Sequence, residues 1–185
     1  SPLLILKMSQ VNGLRWYAIQ TKTRLEKVAA GLLQNKGYEV FLPLYKVRRQ
    51  WSDRIKVLEQ ALFPGYLFSR WAEGERTLPI LTTPYVRGIV GICGTPVPVP
   101  EEEIRAVRAI VESRLPAMPW PYLEAGQRVR ITYGPLEGVE GLLLNIKKQH
   151  RLIVSVEMLK RSVCVEIDSA WVEPSGKVLK RAAGR

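Results

Sequence analysis

The apolar period of this chain changes once, and that change restricts the fold more than any other feature. Before Ser113, two stretches carry apolar residues at helical spacing. After Leu123 none does: apolar and polar residues alternate in short runs cut by turn signals. A helix repeats its apolar stripe about every 3.6 residues and a half-buried strand about every two. The two parts therefore need different architectures. A chain of 185 residues can hold two small domains, each with a modest core. The expected division is a first domain over 14–113, a linker over 114–123 and a second domain over 124–174.

In the first part, Leu14 to Gln20 reads as a strand with apolar groups on both faces, Trp16 and Ala18 on one, Tyr17 and Ile19 on the other. Arg24 to Lys36 follows as a helix whose stripe is Leu25, Val28, Ala29 and Leu32, with Gly37 where a helix usually stops. Tyr38 to Leu42 looks like a second strand. Lys46 to Lys56 reads as a hairpin or a mobile loop; it holds five Lys/Arg against the single acid Asp53, with Trp51 among them. Phe63-Pro64-Gly65-Tyr66-Leu67-Phe68 leads into another strand, and Val86 to Ile92 supplies one more. Glu101, Glu102 and Glu103 suit the first turn of a helix, where the backbone dipole favours anions. Ile104, Val107 and Val111 continue that helix on one face. This order points to an α+β domain, helices packed on a mostly antiparallel sheet.

Ser113 to Leu123 carries three prolines and no period, so it reads as a stiff linker. Beyond it Val129, Ile131 and Tyr133 alternate with Arg128, Arg130 and Thr132. Leu142 to Ile146, Leu152 to Val156 and Val163 to Ile167 follow as short strands, which indicates a small β-barrel. The tail from Lys177 is basic and expected to fray.

Charge narrows the partners. The net charge is +11, which favours nucleic acid, a ribonucleoprotein or an anionic membrane surface. The last would need a basic amphipathic helix; no convincing one is present, and no membrane partner is expected. Residues 1–113 hold sixteen Lys/Arg against ten Asp/Glu, and 114–185 hold twelve against seven, four of the twelve being Lys177, Lys180, Arg181 and Arg185. The barrel body is thus near neutral, which argues against indiscriminate nucleic-acid binding there. Lys147, Lys148, His150 and Arg151 cluster on one turn, either meeting RNA or simply facing solvent.

Other function classes are excluded by what the chain lacks. Cys93 and Cys164 lie far apart and form no CxxC pair, so neither a disulfide framework nor a zinc site is expected. Such cysteine usage fits a reducing cytoplasm. The apolar opening Ser1 to Lys7 is too short for a signal-peptide core or a membrane span. The single histidine, His150, has no nucleophile or carboxylate beside it, and no Gly-rich stretch fits a phosphate loop. No catalytic residue, cofactor or metal is expected, and the chain is read as a binding protein and not an enzyme.

Two surfaces are candidates for that binding. Tyr66 and Phe68 share one sheet face by their spacing. Together with Trp16 and Phe63 they either pack the core or form an apolar patch of the kind that marks a protein partner. Lys22, Arg24 and Arg87 flank strand ends, either as phosphate contacts or as solvated positions. The Arg48–Lys56 stretch is open in the same way: a contact to nucleic acid or protein with Trp51 as a stacking group, or a solvated loop.

Taken together, Trp16-Tyr17, Phe63 to Phe68, Gly126-Gln127-Arg128-Val129-Arg130-Ile131 and Gly134-Pro135-Leu136-Glu137-Gly138 resemble the NusG family, the last two forming a KOW motif. The resemblance runs from about Arg15 to Pro174. Arg48 to Arg54 and Leu159 to Val163 look more like the specialised paralogs of the UpxY, LoaP and RfaH type. The resemblance implies an N-terminal NusG domain and a C-terminal SH3-like KOW barrel. It implies docking of Trp16, Phe63, Tyr66 and Phe68 on the clamp helices of the largest RNA polymerase subunit, suppressing pausing. It places Lys22, Arg24 and Arg87 against the non-template DNA strand. In RfaH a His-Thr-Thr run meets the polymerase gate loop; here that place is Pro79-Ile80-Leu81, with Thr82-Thr83 just downstream. In housekeeping NusG a Phe-Gly-Arg turn engages Rho and the ribosomal partner; here it is Leu159-Lys160-Arg161. Loss of the Phe favours antitermination over coupling to Rho. The alternatives are a ribosome-associated KOW RNA-binding protein, or a housekeeping NusG. A switch of the barrel to helix is not expected, because its pattern is β throughout.

Overall fold

The computed structural model describes residues 13–175. The expectations for Ser1 to Lys7 and for the tail from Lys177 lie outside them.

The first part is a four-stranded antiparallel sheet with helices on both faces. β1 (Leu14–Thr21) lies between β5 (Tyr66–Ala72) and the edge strand β6 (Val86–Ile89), and β2 (Glu39–Phe41) pairs with the far side of β5. On one face Tyr17, Ile19, Leu67 and Trp71 pack with Ala29, Ala30 and Leu33 of α1 (Glu26–Asn35) and Ile80 of α2 (Leu78–Leu81). On the other face Trp16, Ala18, Phe41 and Phe68 meet Ile104, Val107 and Ile110 of α3 (Glu101–Ser113). Two-sided burial is why β1 carries apolar residues at consecutive positions, as expected from its sequence.

Two helix faces differ from expectation. In α1 the buried positions are Glu26, Ala29, Ala30 and Leu33, while Val28 is 46% exposed. The stripe is displaced because buried Glu26 accepts hydrogen bonds from the backbone N–H groups of Arg24 and Gly65. In α3 Ile110 is buried and Val111 only partly so, although both pack on the same apolar cluster. That cluster also contains residues of the second part, so α3 is covered on more than one side.

Lys46 to Lys56 lies within a regular hairpin. β3 (Leu44–Trp51) and β4 (Arg54–Ala61) form a two-stranded ribbon outside the four-stranded sheet. A second short hairpin pairs β7 (Gly91–Ile92) with β8 (Thr95–Pro96).

The second part is a six-stranded antiparallel sheet. β9 (Ala117–Pro121), β10 (Gln127–Ile131), β11 (Glu140–Ile146), β12 (Gln149–Val156), β13 (Arg161–Ile167) and β14 (Val172–Pro174) lie in the order β14-β10-β11-β12-β13-β9. Val129, Ile131, Leu136, Leu152, Val156 and Val163 are among its buried core. Tyr133, expected to continue the alternation of β10, is 71% exposed beyond the strand's end. Strand β9 also differs from expectation, since it falls inside the stretch read as linker. It pairs with β13, Val163 opposite Pro119. Proline is tolerated there because β9 is an edge strand and lacks a neighbour on its second side. The irregular connection after α3 shortens to Arg114, Leu115 and Pro116. The two parts touch: α3 packs against β12, and the Glu157 N–H donates to Glu103 Oε1 at 3.3 Å.

Candidate functional site

The aromatic segment is held by a turn that only its glycine makes readily. Gly65 has φ +82°, a conformation unfavourable for residues bearing a Cβ. The Tyr66 N–H donates to Phe63 O at 2.9 Å, and Gly65 O accepts from the Thr21 N–H at 2.8 Å. The Gly65 N–H donates to Glu26 Oε1 at 2.8 Å. Strand β1, the turn and the start of α1 are thereby fastened together, and β5 leaves the turn in fixed register.

That register sets Tyr66 beside Gln20, Phe68 beside Ala18 and Arg70 beside Trp16. Trp16, Phe63 and Phe68 are 3%, 1% and 0% exposed, whereas Tyr66 is half-buried at the margin of the same cluster. Phe63 meets Phe68 edge-on, centroids 5.7 Å apart, and Phe41 lies 6.2 Å from Phe68 and 6.3 Å from Trp16. The guanidinium of Arg108, on α3, sits 4.4 Å from the Phe41 centroid and 5.6 Å from that of Trp16, with Arg70 5.4 Å from Trp16. Alternation along β5 leaves open whether these aromatics are core or surface. Three are core, and Tyr66 reaches solvent. Phe41, Arg70 and Arg108 were not foreseen, since their approach depends on strand register and on the seat of α3.

Lys22 and Arg87 lie near one end of the β1–β6 edge, and Arg24 follows Lys22 by two residues and lines the groove beside the β3–β4 ribbon. The Lys22 N–H donates to Tyr85 O at 2.8 Å, and Thr21 pairs with Val86. All three basic residues are exposed, and Arg24 takes φ 71°. Near α2, Thr83 is buried and engaged within the chain: its hydroxyl donates to Pro79 O and accepts from Lys36 Nζ at 2.9 Å. Thr82 is exposed.

In the second part Leu159 is 6% exposed and belongs to the core. Lys160, with φ 48°, and Arg161 face solvent. Lys160 Nζ lies 4.7 Å from the Tyr122 ring and 3.5 Å from Glu157. Tyr122 donates to Glu157, and that hydrogen bond raises its phenol pKa; Lys160 is raised chiefly by hydrogen bonding with Tyr122. Lys147 and Lys148 form the β11–β12 turn, both with positive φ. Arg151 departs from the expected cluster: its side chain is tucked against Trp120 and Glu166. The Cys164 thiol beside it is pushed up by burial, an effect Arg151 opposes.

Among the described residues no group of His, Cys, Asp and Glu is arranged to hold a metal ion. No described helix is long and apolar enough to cross a membrane. The arrangement is that of a binding protein: a sheet with a buried aromatic base and a basic edge, followed by a second, all-β unit. The chain belongs to the NusG family. The family model described as "Transcription termination factor nusG" matches residues 14–108. The transcription termination/antitermination protein NusG of Borreliella burgdorferi is 28% identical over 183 residues, covering 85% of this chain and 97% of that protein. That of Thermus thermophilus is 28% identical over 181 residues, with 86% and 98% covered. The solved structure of Thermotoga maritima NusG covers 87% of this chain and 97% of that one, at TM-score 0.58 and 22% identity, a likeness of fold. The family is one of transcription factors, not enzymes.

Proposed function

We propose that this protein binds the transcribing RNA polymerase, suppresses pausing and promotes antitermination of specific operons in the cytoplasm. The observation that supports the reading is Tyr66, half-buried at the margin of a buried base of Trp16, Phe63 and Phe68. An aromatic that needs no reordering on binding makes a good anchor in a desolvated groove. The groove is taken to be that of the clamp helices on the largest polymerase subunit. Lys22, Arg24 and Arg87 then lie against the non-template DNA strand, with salt-dependent phosphate contacts.

The six-stranded sheet is proposed to be the SH3-like KOW domain. Because β9 belongs to that sheet, the proposed division keeps 14–113 as the first domain but starts the second at Ala117, inside the stretch 114–123 expected as linker, and ends it at 174. Its partner turn, Leu159-Lys160-Arg161, supports a specialised role. Leu159 is buried and Lys160 and Arg161 are exposed, so the turn offers cations in place of an apolar anchor. Coupling to Rho is accordingly disfavoured. A housekeeping NusG that does couple to Rho is the second reading, favoured by relatives named for both termination and antitermination.

Co-purification with core polymerase, followed by elongation on a pausing template, tests the main reading. Retention on polymerase and shortened pauses are expected; absence of both overturns it. Stimulation of Rho-dependent termination in the same assay decides for the second reading.

A further inference from the structure

The β3–β4 ribbon carries a surface that the polymerase reading does not use. Residues opposite one another in an antiparallel pair share a face, and faces alternate along the strand. The register sets Trp51 opposite Arg54, Arg49 opposite Lys56, Val47 opposite Leu58 and Tyr45 opposite Gln60. These pairs lie on one face. Its outer half holds three cations and one indole, all exposed, with Trp51 at 57%. The other face mixes Gln50 with Ile55, Arg48 with Val57 and Lys46 with Glu59, so charge is not concentrated there.

Spacing and continuity turn this face into a track. The Arg54 and Lys56 rows are two residues apart, roughly 6.8 Å along the ribbon. That is about the rise of two steps along one nucleic-acid strand. Towards its base the ribbon lines a groove of about 580 Å³, through Arg49, Tyr45 and Gln60 of this face and Leu44 and Ala61 of the other, and Arg24 and Lys27 line the same groove. Glu26 also lines the groove, but its Oε1 is already engaged by two backbone N–H groups. Glu59 lines it as well, from the strand position opposite Lys46.

We propose that this ribbon face is a binding site for single-stranded nucleic acid, which stacks an unpaired base on Trp51 and lays phosphates along Arg54, Arg49 and Lys56 towards Arg24. Aromatic platforms with flanking cations suit single strands because every base has a stacking face, whereas paired bases are unavailable to the indole. The site goes beyond polymerase docking. It shares Arg24 with the edge proposed to meet the non-template strand, and variants confined to the ribbon leave Arg24 intact, so the two readings can fail separately.

Binding of the full-length chain to labelled oligothymidine, oligouridine and a duplex of equal length, over a salt series, tests the site. Wild type is expected to prefer the single strands, with the two single-stranded arms telling DNA from RNA. R49A/R54A/K56A should flatten the slope of log affinity against log salt by about 2, roughly 0.7 per cation lost. W51A should weaken binding at least about fivefold, and W51F should recover most of it. Trp16 and Trp71 are buried, and Trp120 and Trp171, on the second unit, are partly buried, so Trp51 is the exposed tryptophan and oligonucleotide quenching of tryptophan emission should fall sharply in W51F. Circular dichroism confirms that the exposed substitutions leave the fold intact. Unchanged affinity and slope in the triple variant overturn the proposal, as does a wild-type preference for duplex or no binding at low salt. Loss confined to K22A/R24A/R87A overturns the ribbon site while leaving the β1–β6 edge reading in place.

Discussion

Gly65 donates its backbone N–H to the buried Oε1 of Glu26 at 2.8 Å, which joins the aromatic turn to the first turn of α1. Removing the acceptor leaves a buried N–H without its partner. Glu26→Ala is expected to destabilise the protein by about 2 kcal/mol, the range for hydrogen bonds to charged groups. Glu26→Gln should recover part of this. Urea denaturation midpoints measure both.

Tyr66 and Phe68 share a face but differ in exposure, so their truncations should separate binding from folding. Tyr66→Ala is expected to weaken polymerase binding while the domain stays folded. Phe68→Ala removes a wholly buried ring and should cost roughly 3–5 kcal/mol of stability. Polymerase pull-down beside thermal melts reads the contrast; undiminished binding by folded Tyr66→Ala counts against the proposed docking face.

At the basic edge, Lys22→Ala with Arg87→Ala is expected to flatten the salt dependence of binding to an elongation complex with an exposed non-template strand. The change should be about 1.4 in log–log slope, roughly 0.7 per cation for a single strand. Titration at several salt concentrations provides the slope.

A close backbone approach makes Gly141 sensitive. A Cβ there would fall 2.5 Å from Ile153 O and 2.9 Å from Leu152 Cδ1. Gly141→Ala should therefore disturb the β11–β12 pairing and cost about 1–3 kcal/mol, as overpacking does. Hydrogen exchange of the β12 amides would show the site of the loss.

Glu103 gives the contact between the two parts a pH signature. Burial raises its carboxyl pKa above the usual glutamate range, and the Glu157 N–H opposes this. A raised folded-state value means the native protein holds the proton more tightly than the unfolded chain. Its contribution is therefore most favourable below the unfolded value and declines as pH rises towards the folded one. Glu103→Gln cannot ionise and keeps an acceptor for Glu157. The wild type should lose stability relative to this variant as pH rises from the ordinary glutamate range through the raised folded-state value. Parallel denaturation curves at several pH values check the difference.

Much of this fold was legible because local patterns carried it. The strand at Trp16 to Ile19 and the helix at Glu101 follow from spacing and charge alone, whereas around Trp51 the sequence leaves a hairpin and a mobile loop open and the β3–β4 pairing decides for the hairpin. What escaped depended on partners remote in sequence. Glu26 reads as a surface residue until Gly65 and Arg24 are seen donating to it, and that is why the α1 stripe was misplaced. Pro119 reads as a breaker until Val163 supplies the side of the ladder that needs no proline N–H. Tyr66 could be told apart from Phe68 only once α3 and Arg108 were in position, because alternation gives the face of a residue and not what covers it.

The pairing of β9 with β13 also fixes the length of a leash. With that edge strand seated, three residues separate α3 from the second sheet, a reach of about 11 Å at full extension. Were β9 peeled away, the free chain would run from Arg114 to Gly126 and extend to about 45 Å. A strand of five residues thus sets the longest reach of the connection, and with it the volume open to the second unit were its packing against α3 released.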